Sequence, residues 1–480
     1  MSAPRLKVVE IIRRERPYRL RMPFRFGVIT ATHGRQAVIA VRIRLRDGRE
    51  ETGYAAEALG AKWFDKNPAL SDEANHHQLR KAIELAGEAY LSAAPSTAFG
   101  LFAEHYRSHL DASAAIGLNP LVASYGPALL DRAVFDALCR LLGMSFYEAT
   151  RRNLAGIGPH PIVPELVGFD FGSFLETLRP ATTIDLRHTV GLADPITRAD
   201  QSERVDDGLP ETLEEVVSTY GNRYFKVKVS GNEAADLDRL ARIAAVLDRS
   251  PDPYFLTLDG NEQYETAEAV LDLLERMGRD KKLRRLLASM LYLEQPIKRA
   301  AALSQPVTAL SALTPVIIDE SDGELASFPQ ARALGYRGVS SKACKGFYKS
   351  LLNLARCRVW NMDGGDRYFM SAEDLTCEPG VALQQDLALV NLLGLTHVER
   401  NAHHFIDGFD GRPPAEAEAW RRANPDLYGV RDGRVRLAIS DGRLEIGSLD
   451  CAGFGSGVVP DLDATEAMPT ADWPPNGVPA

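Results

Sequence analysis

Five short polar islands recur along the middle of this chain, and each closes a strand-like run. Lys226-Val227-Lys228, Asp259-Gly260-Asn261, Glu294-Gln295-Pro296, Asp319-Glu320-Ser321 and Lys342-Ala343-Cys344-Lys345 come at or just after such runs. The runs are Tyr224-Phe225, Tyr254 to Leu258, Met290 to Leu293, Val316 to Ile318, and Gly338 to Ser341. Amphipathic patterns lie between them. Glu233 to Leu247 puts Leu237, Leu240, Ala241, Ala244 and Leu247 on one face, and Thr266 to Met277 does the same with Val270, Leu273, Leu274 and Met277. Strand and helix in alternation imply a parallel sheet with right-handed crossovers. The markers at 228, 259, 294, 319 and 342 stand 31, 35, 25 and 23 residues apart. A barrel of eight such units in about 250 residues needs roughly 31 per unit, and it gathers all its strand ends at one mouth. In a doubly wound sheet only the strands beside a switch point share a site. The spacing favours the barrel.

Further strands are expected at His188 to Gly191, Tyr368 to Ser371 and His397 to Arg400, which sets the barrel at 185–433. Residues 1–150 read as a separate α+β domain. Ala37 to Leu45 alternates like a strand and turns at Asp47-Gly48, whereas Leu79 to Ala94 and Leu129 to Leu142 repeat apolar residues at helical steps. After Gly433 the chain turns antiparallel again, at Val435 to Ile439 and Leu444 to Ile446, so 434–459 is expected to complete the N-terminal domain. The stretch 460–480 is rich in Pro, Asp and Gly and is expected to be disordered. A length of 480 residues suits two or three domains.

Composition narrows the function class. A net charge of −9 is mild for this length and argues against nucleic acid as a partner. No run is long and apolar enough for a membrane span, and the Arg-rich stretch from Met1 to Arg25 lacks a signal peptide's apolar core. Five scattered cysteines without a CxxC pair read as reduced thiols, so a cytoplasmic protein is expected. A homo-oligomer acting on a small molecule is the expected state.

The islands carry the chemistry. Lys226 and Lys228 stand two apart on a strand and face the same way. Alone, such a pair reads as the wet face of an edge strand. Inside a mouth, repulsion and burial favour a neutral amine, the form a general base needs. Asp259, Glu294 and Asp319 each follow an apolar run. One such acid is an ordinary turn or cap residue, but three buried anions on consecutive strands need a cation. Three oxygen ligands with open positions suit Mg²⁺, with Mn²⁺ as substitute. Asn261 and Glu320 would orient the ligands or neighbouring lysines. Lys342, across the mouth from Lys228, would allow a proton to leave one face of a carbon and return to the other. A carbon acid beside a carboxylate needs such charge stabilisation, and the enolase superfamily is a known case of a Lys or His base with Mg²⁺.

With these residues in view, the chain resembles the enolase superfamily, and within it the mandelate racemase/muconate-lactonizing enzyme-like group. The pattern KxK, Asp, Glu-Gln-Pro, Asp-Glu-Ser, Lys matches Lys226/Lys228, Asp259, Glu294, Asp319 and Lys342. The resemblance implies a modified (β/α)₇β TIM-type barrel with an N-terminal α+β capping domain. It implies Lys228 and Lys342 as the acid/base pair, Lys226 as an electrostatic group and the three carboxylates as Mg²⁺ ligands. Pro23-Phe24-Arg25-Phe26-Gly27 would fall in the capping loop, where Phe24 and Phe26 line the pocket or pack in the core. Ser340-Ser341 before Lys342 and Phe347 after Gly346 depart from the usual text, and leave Lys345 open as the reacting lysine; Lys342 is favoured because it directly follows the strand. The seventh run, Tyr368 to Asp374, has no His, which prefers paired lysines. Glu373 faces the mouth or caps a helix, and His403 contacts substrate or lies outside it. The expected reaction is racemisation, epimerisation or cycloisomerisation of a small carboxylic acid through its enolate. The alternatives are a lyase acting on a hydroxy or sugar acid and a non-catalytic metal-binding descendant. The chain is long for the group, with insertions near 55–80, 192–215 and 407–433.

Overall fold

The computed structural model describes residues 3–26, 29–362, 364–365, 367–373, 378–399 and 404–474. The N-terminal part is an antiparallel sheet of β1 (Leu6–Phe26), β2 (Ile29–Leu45) and β3 (Glu50–Ala58) packed on helices. Gln36 to Val41 is buried at every position, so the alternation expected from Ala37 holds only from Val41 onward. The helices are α1 (Asp72–Ser92), α2 (Ala98–Ala114) and α3 (Pro120–Leu142). α3 shows why its ends fall where they do. The Asn119 side chain accepts from the Leu121 and Val122 amides, Pro120 opens the first turn, and Gly143 closes the helix at φ +63°. At Gly53 of β3 an added Cβ would lie 2.1 Å from the Ala137 nitrogen, so sheet and helix backbones meet with no room for a side chain.

The second sheet is parallel. Its strands are β4 (Thr183–Val190), β5 (Tyr224–Lys228), β6 (Phe255–Asp259), β7 (Met290–Glu294), β8 (Val316–Ile318), β9 (Gly338–Ser341), β10 (Phe369–Ala372) and β11 (His397–Glu399). β4 to β10 pair in chain order, and β11 returns to lie parallel beside β4. Helices such as Glu233–Leu247, Ala267–Arg279, Phe347–Trp360 and Val381–Leu392 follow individual strands, as the alternating pattern predicts. Among the described residues no helix is long and apolar enough to cross a membrane.

The C-terminal part departs from expectation in two places. β12 (Tyr428–Arg431) and β13 (Arg434–Leu437) form a separate ribbon, and β14 (Arg443–Glu445) lies antiparallel to β4, not in the N-terminal sheet. Arg443 bonds Asp185 at 2.6 Å there. The turn at Gly453-Phe454 reaches α3, where the Phe454 amide donates to Asp136, and Arg140 of the same helix donates to the Ser456 carbonyl. The tail expected to be disordered is instead held as far as residue 474. β15 (Glu466–Ala467) pairs with Arg14-Glu15 of β1, and the Arg14 guanidinium donates to the carbonyls of Leu462 and Thr465 at 2.9 and 2.8 Å. A polar, Pro-rich tail builds no core of its own, but main-chain pairing and one guanidinium need none.

Candidate active site

Strand register assembles the first half of the site. Lys228 pairs with Asp259 and Asp259 with Glu294, so three neighbouring strands end on charged side chains at one level. Val227 is buried between Lys226 and Lys228, which turns both lysines to the opposite face. The Lys226 amine lies 3.0 Å from Asp259, 2.8 Å from Glu294, 2.8 Å from Glu373 and 3.0 Å from Glu399. Lys228 donates to Asp259 at 2.6 Å. Behind Glu373, the fully buried Arg187 of β4 donates to that carboxylate and to the Ala372 carbonyl. Thr189 donates to Glu399. After β6 the chain passes so close to the next strand's end that a Cβ at Gly260 would sit 2.5 Å from the Pro296 Cα. Gln295 adopts φ +31°, and its side chain holds the Asp319 and Ser321 amides. That ties the ends of β7 and β8 together.

The second half is built from β8 and β9. Lys342 stands 3.4 Å from Asp319 and 5.1 Å above the Trp63 ring. Lys345 reaches Asp319 at 3.2 Å, Ser340 at 2.8 Å and Asp322 at 3.4 Å. Lys349 lies 3.4 Å from Asp322. Ser340, one of the polar pair before Lys342, also donates to Asp319. Asn261 Nδ2 donates to Glu320 at 3.3 Å, and the Asn261 amide donates to Asp259 at 2.8 Å. Lys66, from the segment after β3, approaches Glu320 at 3.4 Å.

For Lys226 the expectation that crowding keeps the amine neutral is reversed. Burial pulls the Lys226 amine down, but Asp259, Glu294, Glu373 and Glu399 together outweigh it and hold the amine protonated. Burial likewise opposes charge on Lys342, and Asp319 outweighs it, so its affinity for the proton rises above the ordinary lysine range. The sequence reading counted three carboxylates and gave no anionic weight to Glu373 or Glu399. Glu294 pays the complementary cost: burial, then the Asp259 and Glu373 carboxylates, push its carboxyl well above the usual range.

These side chains open into a cavity of about 870 Å³. Lys226, Lys228, Asn261, Asp319, Lys342 and Glu399 form its polar floor. Phe24 of β1 lines it, as do Trp63 and Phe405. Glu294 is buried beneath Lys226, and Lys345 is packed behind Asp319 rather than on the cavity wall. Glu373 is a partner of Lys226 and Arg187, not a helix cap. His403 and the side chain of Phe26 lie outside the described residues. Sequence reasoning missed Glu399, Arg187, Trp63 and Lys66. Glu399 ends an apolar run as the other acids do, and that signal was available; Arg187 inside a strand-like run was a weaker one.

Whether the acids suit a divalent cation can be read from their unused oxygens. Among the described residues no three acidic, His or Cys side chains enclose an ion position. The Lys226 amine bridges Asp259 and Glu294, and Ser340 and two lysines engage Asp319. Yet Glu294 Oε2 is buried without a hydrogen bond, its 2.8 Å approach to Lys226 being out of line for one. Glu320 Oε2 and Asn261 Oδ1 share that condition. Buried oxygens without donors, set among further carboxylates, are hard donors of the kind Mg²⁺ takes. The donor chemistry, though not an enclosed ion position, fits the ion.

No family sequence model and no curated protein sequence matches the chain. Solved structures do. A 2-chloromuconate cycloisomerase from Rhodococcus opacus aligns at TM-score 0.59 and 16% identity over 94% of this chain and 97% of its own. A dipeptide epimerase from Enterococcus faecalis, complexed with Mg and the dipeptide L-Leu-L-Tyr, aligns at 0.58 and 15% over 94% and 99%. A member of the enolase superfamily from Roseovarius nubinhibens aligns at 0.53 and 15% over 96% and 97%. The fold is that of the enolase superfamily. At these identities the likeness carries the architecture over nearly the whole chain, and the chemistry rests on the side chains described above.

Proposed function

We propose that this chain is an enzyme of the enolase superfamily, in the mandelate racemase/muconate-lactonizing group, whose parallel strands close as a (β/α)₇β barrel under an N-terminal capping domain. Contact of Lys226 with acids from β6, β7, β10 and β11 supports closure, because one amine reaches strands from both ends of the pairing order. The substrate is a small-molecule carboxylic acid with a removable proton on its α carbon. The observation that carries this reading is the opening of Lys228 and Lys342 into one cavity from strands four apart in an eight-strand order.

Lys228 takes the α proton from one face, and Lys342, held as an ammonium by Asp319, delivers a proton to the other. Asp259, Glu294 and Asp319 would hold Mg²⁺, with Mn²⁺ as substitute. Bound there, the ion supplies Lewis-acid stabilisation of the charge that grows on the substrate carboxylate. Asn261 and Glu320 orient that acid cluster. Lys226 keeps Glu294, Glu373 and Glu399 in place. The outcome is racemisation, epimerisation or cycloisomerisation.

Solvent deuterium incorporation into a carboxylate library, with Mg²⁺ present, tests the reading. Lys228→Ala and Lys342→Ala should each lower exchange by about 10²- to 10⁴-fold. Intact exchange and turnover in either variant would remove the paired-base mechanism. Loss of water or another β-substituent in place of inversion would assign a lyase.

A further inference from the structure

We propose that Glu373 is a positioning residue for the metal: it draws one N–H of Lys226 away from Asp259 and Glu294, and so leaves their oxygens to Mg²⁺. This rests on the Mg²⁺-dependent reading above and adds to it a buried residue that lies off the cavity wall. A count of hydrogen-bond donors leads there.

An ammonium has three N–H groups. Those of Lys226 go to Glu294 Oε1 at 2.9 Å, Glu373 Oε2 at 2.8 Å and Glu399 Oε2 at 3.0 Å. Two of the three thus point to acids at the ends of β10 and β11, not to the proposed ligands. Two ligand oxygens lie just as near the same amine and receive none of its protons. Asp259 Oδ2 is 3.0 Å away and Glu294 Oε2 2.8 Å, and the latter is buried with no hydrogen bond at all. If Glu373 released its N–H, one of these two oxygens would be the nearest acceptor. A rotation of the ammonium would suffice, with no movement of the chain. A donor seated there takes up a lone pair that a hard cation needs.

Glu373 is itself held from the far side. The Arg187 guanidinium, the Tyr292 hydroxyl at 3.2 Å and the Ser371 hydroxyl all donate to its Oε1. Arg187 is anchored in turn on the Ala372 carbonyl at 2.7 Å and on the His397 ring. Both Arg187 and Glu373 are 0% exposed. With Oε1 saturated, Oε2 is the oxygen left for Lys226, and turning the carboxylate would break buried bonds at both oxygens. The length of the side chain matters as much as its charge. A carboxylate withdrawn by one C–C bond, about 1.5 Å, keeps at most one of the two cations in hydrogen-bond range.

Titration calorimetry with Mg²⁺ alone, without substrate, separates position from charge. Glu373→Gln removes the charge, whereas Glu373→Asp keeps the charge and removes the reach. Each should weaken Mg²⁺ binding about tenfold, as expected for a group that acts on a metal through its ligands. An unmoved Kd in Glu373→Asp would reduce the effect to charge and overturn the proposal. An unmoved Kd in Glu373→Gln would overturn it as well, even if denaturant unfolding showed that variant destabilised, since a purely structural role gives that result. Should either variant fail to fold, Tyr292→Phe joined to Ser371→Ala removes two of the three bonds on Oε1 and leaves every charge in place. That pair should weaken Mg²⁺ about threefold, and an unmoved Kd there would overturn the proposal too. An unaltered protein that binds neither Mg²⁺ nor Mn²⁺ would overturn the metal reading itself, and the role of Glu373 with it.

Discussion

The two halves of the site carry opposite charge surpluses. On the β5 to β7 side, four carboxylates surround the single amine of Lys226, with Lys228 beside one of them. On the β8 to β9 side, Lys342, Lys345 and Lys349 alternate with Asp319 and Asp322 in a buried ladder. An anion-rich pocket asks for a further cation and a cation-rich one for an anion. A substrate carboxylate would therefore sit between an ion on the first side and Lys342 on the second. Each half also explains the other's buried cost, since isolated charges at this depth are not tolerated.

Removing one amine from each half breaks the comparison most sharply. Lys226→Met leaves Glu294, Glu373 and Glu399 without their shared donor, and should cost about 3–5 kcal/mol in denaturant unfolding. Lys345→Met leaves Asp319 its contacts with Ser340 and Lys342, so a loss of roughly 1–2 kcal/mol is expected. Equal losses would mean that the two halves do not differ as drawn.

Added metal gives the next largest effect. At a hundredfold excess over Kd, Mg²⁺ should stabilise the fold by about 2.7 kcal/mol. Glu294→Gln should remove most of that gain, and Lys345→Met little of it. A thermal shift that ignores both metal and Glu294 would weaken the cation assignment.

A pH-dependent effect tests the burial just beyond Lys228. Asp194 is buried beyond Lys228, and burial, partly offset by the Gly191 amide, raises its carboxyl to about 6. The folded state thus binds this proton more tightly than the unfolded chain, whose Asp titrates near pH 3.9. The stabilising contribution is full below about pH 4 and is lost as pH rises through 6. Asp194→Asn should therefore gain roughly 2 kcal/mol at pH 7 and nothing at pH 4. The same change at both pH values would place the effect in packing.

The parallel sheet was legible because each strand end announced itself locally, as an apolar run followed by a charge at a steady interval. The runs at Val316 to Ile318 and Gly338 to Ser341 coincide with β8 and β9. Lys226, Lys228, Asp259, Glu294, Asp319 and Lys342 were legible for the same reason. What spacing does not encode is a contact across the sheet. Glu399 and Arg187 act through partners on other strands, 173 and 186 residues away in sequence. Local periodicity carries no such information. The tail failed for a different reason: composition reports whether a segment can bury a core, not whether its backbone finds a free strand edge.

That free edge bears on how the protein is made. β1 is synthesised long before the short strand that covers its edge, Glu466–Ala467. At about 5–20 residues per second, the edge stays open for roughly half a minute or more of synthesis. The arginines along β1, at 13, 14, 16, 19, 21 and 25, put like charges on that unpaired strand. Two nascent chains would meet there as mutually repelling ribbons, so the charge that later binds the tail first keeps newborn copies apart.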